Sequence, residues 1–238
     1  MIISILSLFP ESFPQILSHS ILGRAQKKNL VRLRFINIRD FATDIHKSVD
    51  DKPYGGGVGM LMRVDVLEKA IEKSKINPSA DGQKSRPKAD QPLAEKIKEK
   101  VVLLDPTGKL FHQKLAQKYS KLDHLILVCG HYEGMDARIY NFVDEVISVG
   151  KYILSGGESA SIVIVDAVLR LIPGVLSKKS ATALESFSDG SLLEPHQYTR
   201  PAVYKGYKVP KVLLSGNHKK ISTWRKKQAL IRSKQLAD

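Results

Sequence analysis

The chain of 238 residues has a single cysteine, Cys129. That excludes an internal disulfide and any multi-cysteine zinc site, and a reducing cytoplasm is the expected compartment. Cys129 ends the apolar run that starts at Leu125, so a packed thiol is expected there rather than a nucleophile. The N-terminus, Met1-Ile-Ile-Ser-Ile-Leu-Ser-Leu-Phe-Pro10, lacks the basic start and small-residue cleavage site of a secretory signal and reads as a first strand. The longest apolar stretch, Ser159 to Ile172, carries Asp166 and Arg170 and stops at Pro173-Gly174. It reads as a buried helix and a poor membrane span, and no membrane association is expected. The common phosphate fingerprints are missing as well. Gly55-Gly-Gly-Val-Gly59 has no Lys-Ser/Thr after it, and no G-x-G-x-x-G follows a strand, which argues against P-loop and dinucleotide-binding chemistry. No internal repeat is evident.

What the chain has in excess is positive charge, with 38 Lys and Arg against 24 Asp and Glu for a net +14. Its location matters more than its size. From Ser191 to the end there are eleven basic residues against Glu194 and Asp238, a net +9 in the last fifth of the sequence. One segment gripping a polyanion leaves this footprint, although a solvated basic surface would also fit. Trp224 is expected in a core rather than as a base-stacking platform, on a helix over Gly216 to Leu230 with Ile221 and Ile231 on its face.

Strand patterns occur at Ile2 to Leu8, Val31 to Ile38, Val101 to Leu104, Leu125 to Val128 and Val146 to Val149. Helical patterns lie between them at Phe13 to Lys27, Val64 to Ser74 and Phe111 to Tyr119. This alternation predicts an α/β fold with a parallel sheet. A polar stretch over 75–92 reads as a mobile surface insertion, and 177–184, polar and small, as an interdomain linker. The predicted organisation is a first domain over 1–176 and a basic second domain over 185–238.

Glycine gathers in four places: Pro53-Tyr-Gly-Gly-Gly-Val-Gly-Met60, Leu103-Leu-Asp-Pro-Thr-Gly108, Leu125-Ile-Leu-Val-Cys-Gly-His-Tyr-Glu-Gly134 and Val149-Gly-Lys-Tyr-Ile-Leu-Ser-Gly-Gly-Glu158. Small residues at strand ends let a ligand approach the main chain closely. One such turn simply reverses a chain, whereas four suggest a shared pocket for a small molecule.

These segments resemble the bacterial tRNA (guanine-N1)-methyltransferases of the SPOUT class. The resemblance runs over nearly the whole chain, through Leu8-Phe-Pro-Glu11, Asp51-Lys-Pro-Tyr-Gly-Gly-Gly57, Cys129-Gly-His-Tyr-Glu-Gly134, Leu154-Ser-Gly-Gly-Glu158, Tyr198-Thr-Arg-Pro201 and Leu214-Ser-Gly-Asn-His218. It implies a deep trefoil knot in the parallel sheet of the first domain, a small, mainly helical C-terminal domain that binds tRNA, and a homodimer with active sites between subunits. It also implies S-adenosylmethionine as methyl donor, held by main-chain groups. Gly130, Val149, Gly150, Tyr152, Ile153 and Leu154 match the donor-binding positions, with Leu104, Pro106, Tyr132, Glu133, Gly156 and Gly157 beside them. Lys151 departs from the acidic residue usual at its position and is discounted as a contact.

The acceptor that the resemblance implies is N1 of the guanine 3′ to the anticodon, tRNA position 37. That nitrogen is protonated at neutral pH, so its methylation needs a base for the proton and a cation for the charge that develops on O6. The resemblance assigns Arg170, just before Leu-Ile-Pro-Gly, to O6. Read alone, Arg170 is a charge at a helix end with its stem packed. The family's base is an aspartate in an Asp-Ser-Phe motif, which here reads Glu185-Ser186-Phe187. The extra methylene moves the carboxylate by on the order of 1 Å, a displacement that can cost about 100-fold in rate. Asp189 is the reserve base, with turn chemistry in Asp-Gly as its ordinary role. A magnesium requirement is implied too, with Glu133 the first carboxylate to test, although no ligand cluster of recognisable spacing occurs. His218 is expected to be structural rather than catalytic, with a phosphate contact as its other reading. Two other readings compete: a methyltransferase on another RNA, and a non-catalytic RNA-binding SPOUT protein that lost turnover through the Glu185 change.

Overall fold

The computed structural model describes residues 1–75, 97–176, 185–188 and 192–237. The expected insertion beyond Lys75, the linker over 177–184 and the reserve base Asp189 lie outside them. The chain divides into two compact units, Met1–Ser177 and Lys178–Asp238.

The first unit is built on five parallel strands: β1 (Ile2–Ser7), β2 (Arg32–Asn37), β3 (Glu99–Leu110), β4 (His124–Cys129) and β5 (Glu145–Ser148), in the order β2-β1-β4-β3-β5. Helices α1 (Ser20–Lys27), α2 (Val64–Ser74), α3 (Gln113–Tyr119) and α4 (Gly157–Leu169) cover it. A parallel sheet covered on both faces buries every side chain of an inner strand, which explains the unbroken apolar run of β4. Leu125, Leu127 and Cys129 join Ile164 and Val168 of α4 in one core, while Ile126 and Val128 join Val66, Leu67 and Ile71 of α2 in a second. Truncating a fully buried residue such as Leu127 to Ala removes about 2–5 kcal/mol. The fully buried His124 is paired, bonding Ser4 Oγ through Nε2 at 2.8 Å and Glu99 through Nδ1 at 2.6 Å.

Several elements differ from the sequence pattern for identifiable reasons. The helix expected over Phe13 to Lys27 is two pieces, Pro14–Leu17 and Ser20–Lys27. The chain turns at Ser20, whose φ is +53°, and Gln26 Nε2 donates to the freed carbonyl of Leu17 at 2.7 Å. Strand β3 outruns its four-residue apolar core because its register against β5 jumps between Leu104 and Lys109. The four residues between form a bulge in which Pro106 needs no ladder donor. An antiparallel ladder of Asp50–Asp51 with Leu61–Met62 brackets the first glycine segment, and strands of two residues carry no periodic signal.

In the second unit, β6 (Val203–Tyr204) and β7 (Tyr207–Lys208) form a hairpin whose turn, Lys205-Gly206, has both φ values positive. Helix α5 (His218–Ala237) is capped by Asn217, whose Oδ1 accepts from the Lys220 amide at 3.0 Å. Its inner stripe runs through Ile221, Trp224, Gln228, Ala229 and Arg232. Ile231 does not share that face as expected. It is 41% exposed, whereas Ala229 is 5% exposed, because the stripe is centred away from position 231 on the helical wheel. Trp224 is half-buried with its ring 6.4 Å from that of Tyr198.

Candidate active site

Because the sheet is parallel, the C-terminal ends of β4, β3 and β5, three neighbours, open on one side, where ligands of open α/β sheets bind. The bulge after Leu104, the loop after Cys129 and the long loop from Val149 to Gly157 enclose a cavity of about 500 Å³. All twelve residues that the sequence proposed for donor binding line it: Leu104 and Pro106 from the first loop, Gly130, Tyr132 and Glu133 from the second, and Val149, Gly150, Tyr152, Ile153, Leu154, Gly156 and Gly157 from the third. The first glycine segment, Pro53 to Met60, contributes no lining residue. Its end braces the second loop, Met60 O accepting from the Glu133 amide at 3.2 Å, and two residues on, Met62 N donates to Gly134 O at 2.9 Å.

Main-chain hydrogen bonds hold the loops. Gly157 N donates to Gly130 O at 2.8 Å, tying the start of α4 to the second loop. Ser148 Oγ accepts from Gly150 N and donates to Gly150 O, at 3.2 and 2.9 Å. A side chain at Gly157 would place its Cβ 2.7 Å from Cys129 Cα and 2.9 Å from Gly130 N, so only glycine lets α4 begin against β4.

Charge beneath the site is paired. Glu145 on β5 accepts from Lys100 of β3 and Lys118 of α3 at 2.8 Å, and from Tyr119 Oη at 2.5 Å. Burial alone would raise its carboxyl, but these three bonds outweigh burial and hold it down at about 2. Burial, then the Glu145 bond, pushes the Tyr119 phenol up. Burial likewise raises the Cys129 thiol, with the Glu158 charge adding to it, and the packed thiol expected from sequence is what the structure shows.

The two catalytic candidates fall one in each unit. Arg170 caps the far end of α4, its amide 3.4 Å from Asp166 O, and it does not line the cavity. Thirteen helical residues separate it from Gly156 at the cavity, about 20 Å at 1.5 Å per residue. Glu185 belongs to the second unit. It begins a turn in which Ser188 N donates to Glu185 O at 3.1 Å and Phe187 N to Leu192 O at 2.8 Å. Ser186 Oγ accepts from the Glu194 amide, Leu193 N donates to Ser233 Oγ, and Arg232 donates to Glu194 O, so the turn is fastened to α5. A groove of about 1200 Å³ in this unit is lined by Glu185 together with His196, Tyr198, Arg200, His218, Arg225 and Lys226 among others. His218, expected to be structural, is exposed on that groove.

A family model described as tRNA (Guanine-1)-methyltransferase TrmD matches residues 1–237. The chain belongs to that family. Among curated relatives, a protein of Carboxydothermus hydrogenoformans named tRNA (guanine-N(1)-)-methyltransferase is 50% identical over 230 residues, covering 96% of this chain and 83% of its own. Proteins of the same name from Clostridium botulinum (strain Eklund 17B / Type B) and Latilactobacillus sakei are 49% and 44% identical, covering 96% and 97% of this chain and 87% of each relative.

Within this family fold, the cavity has residues that sequence reasoning did not single out, notably Asp105 and His131. Both sit inside motifs already noticed, but nothing in their spacing marked them apart from their glycine neighbours. No group of three or more His, Cys, Asp or Glu side chains placed to hold a metal occurs among the described residues. Among them, too, no helix is long and apolar enough to cross a membrane.

Proposed function

We propose that the cavity at the ends of β3, β4 and β5 binds S-adenosylmethionine and that the chain, a tRNA (guanine-N1)-methyltransferase of the SPOUT class, methylates N1 of the guanine 3′ to the anticodon there. The observation that carries this reading is the convergence of all twelve donor-binding candidates on one cavity whose loops are fixed by main-chain bonds. A purine edge can be read by the main chain of such loops, and glycine leaves it room. The donor supplies an electrophilic methyl group when bound. The chain's task is then to hold acceptor and donor in line, take the N1 proton on the Glu185 carboxylate and stabilise the charge on O6 with Arg170.

Arg170 lies about 20 Å along α4 from its own cavity, which supports a homodimer in which each cavity is completed by a second copy. Exposed apolar side chains at Ile16, Tyr152, Ile153 and Val163 support the same assembly. The domains are 1–176 for the donor and 185–238 for the tRNA, and the first carries the trefoil knot that the SPOUT class implies. The second unit carries exposed Lys219, Lys220, Arg225, Lys226 and Lys227 on α5, which suits a phosphate backbone. Magnesium would be held by one or two carboxylates with ligand groups and water, a mode that Glu133 fits and that needs no preformed cluster. A cytoplasmic location goes with a tRNA substrate.

The test is transfer of labelled methyl to transcripts with guanine or another base 3′ to the anticodon, with wild type and Glu185→Ala. Guanine-dependent transfer that falls by about 10²–10⁴-fold in the variant supports the assignment. Transfer undiminished in Glu185→Ala removes Glu185 as the base.

A further inference from the structure

His131 Nδ1 is the one buried side-chain nitrogen or oxygen without a hydrogen-bond partner among the described residues. Buried polar atoms are nearly always paired, so this one calls for a cause. Its ring is held edge-on by Phe9, with centroids 5.2 Å apart, and by Tyr132 at 5.1 Å. Nδ1 is turned inward, toward the start of α4. A Cβ placed on Gly156 would lie 2.6 Å from Nδ1 and 2.3 Å from Glu158 Oε2, so these two atoms are no more than 4.9 Å apart. The Glu158 carboxylate is itself fixed. Its Oε1 accepts from the buried Ser7 hydroxyl at 2.7 Å, and Ser7 Oγ in turn accepts from the Phe9 amide at 2.8 Å.

A carboxylate behind one ring nitrogen leaves the opposite edge of the imidazole for the cavity that His131 lines. The charges of the lining point the same way. Its ionisable acids are Asp105 and Glu133, and its one side chain able to carry a positive charge is His131. S-adenosylmethionine carries two positive centres, sulfonium and ammonium, and one negative, the carboxylate.

We infer that His131 is the anchor for the carboxylate of the methyl donor, with Glu158 as the positioning residue that holds the imidazole from behind. In the bound state the ring lies between Glu158 on its Nδ1 side and the donor on its Nε2 side. Gly156 is required because any side chain there would fill the space in which Nδ1 and Glu158 approach. This inference rests on the donor reading of the cavity and deepens it.

The experiment is calorimetric binding of S-adenosylmethionine and of its decarboxylated analogue to wild type, His131→Asn and Glu158→Gln. Wild type should prefer the intact donor by about tenfold, the order expected for one charge-assisted hydrogen bond. His131→Asn should erase that preference by weakening the intact donor more than the decarboxylated analogue, with a thermal melt showing that the variant is folded. Glu158→Gln should reduce the preference in the same sense. Intact preference in His131→Asn, or equal losses for both ligands, overturns the inference while leaving the donor cavity standing. Failure of wild type to bind either ligand overturns the donor reading and the inference with it.

Discussion

Replacing Gly157 with alanine tests how tightly the donor cavity depends on the meeting of α4 with β4. The added Cβ would stand 2.7 Å from Cys129 Cα, 2.9 Å from Gly130 N and 3.0 Å from Cys129 Cβ. Two of the three atoms belong to the backbone and the third is joined directly to it, so no flexible side-chain end can swing away. Ordinary contact needs roughly 3.5–4.0 Å, so the start of α4 must withdraw by about 1 Å. That withdrawal weakens the 2.8 Å bond from Gly157 N to Gly130 O, which joins two of the three cavity loops. Overpacking of this kind costs about 1–3 kcal/mol, and a 1 Å misplacement at the cavity costs about 100-fold in transfer rate. Calorimetry with the donor, a thermal melt and single-turnover transfer would read the three effects separately. Wild-type donor affinity and melting temperature in Gly157→Ala would refute the close approach and the role given to it.

Glu145 predicts an acid-sensitive contribution to stability. Its carboxyl is held at about 2 in the folded chain against an ordinary 4.5, so the contribution is complete above pH 4.5 and lost as pH falls toward 2. The carboxylate is 16% exposed, and with screening the effect is about 2 kcal/mol. Glu145→Gln should lower the melting temperature at pH 7, with the difference from wild type shrinking between pH 4.5 and 2; a pH-independent difference would contradict the ion-pair account. For tRNA, replacing Lys219, Lys220 and Arg225 with Gln should reduce the slope of log affinity against log salt by about 2–3, and an unchanged slope would show that these residues miss the phosphates.

The cavity was legible in the sequence because its chemistry is local. Glycine at the ends of short strands signals close approach to the main chain, and three of the four glycine segments line one cavity, whereas the twelve donor positions themselves came from resemblance. Roles that depend on distant partners were not legible. His131 and Glu158 are 27 positions apart, and only the packing of α4 against the loop after β4 brings them together. Arg170 reads as an ordinary helix end, and its assignment came from resemblance. The bulge in β3 was hidden for a related reason: Pro106 and Gly108 signal a strand's end, yet the chain rejoins β5 at Lys109. Ile231 was misplaced because apolar spacing alone does not say where a helical face is centred.

On the proposed mechanism, a donor cavity and an Arg170 about 20 Å away on the same subunit serve one reaction through a second copy of the chain. The most direct measurement is methyl transfer by co-expressed mixed dimers of Gly157→Ala and Arg170→Ala, each inactive alone. Random pairing makes half the dimers mixed, and each mixed dimer holds one site with an intact cavity and an intact arginine. The account therefore predicts recovery of about a quarter of wild-type activity. Mixtures that stay as inactive as either variant alone, with mixed dimers shown to be present, would contradict it.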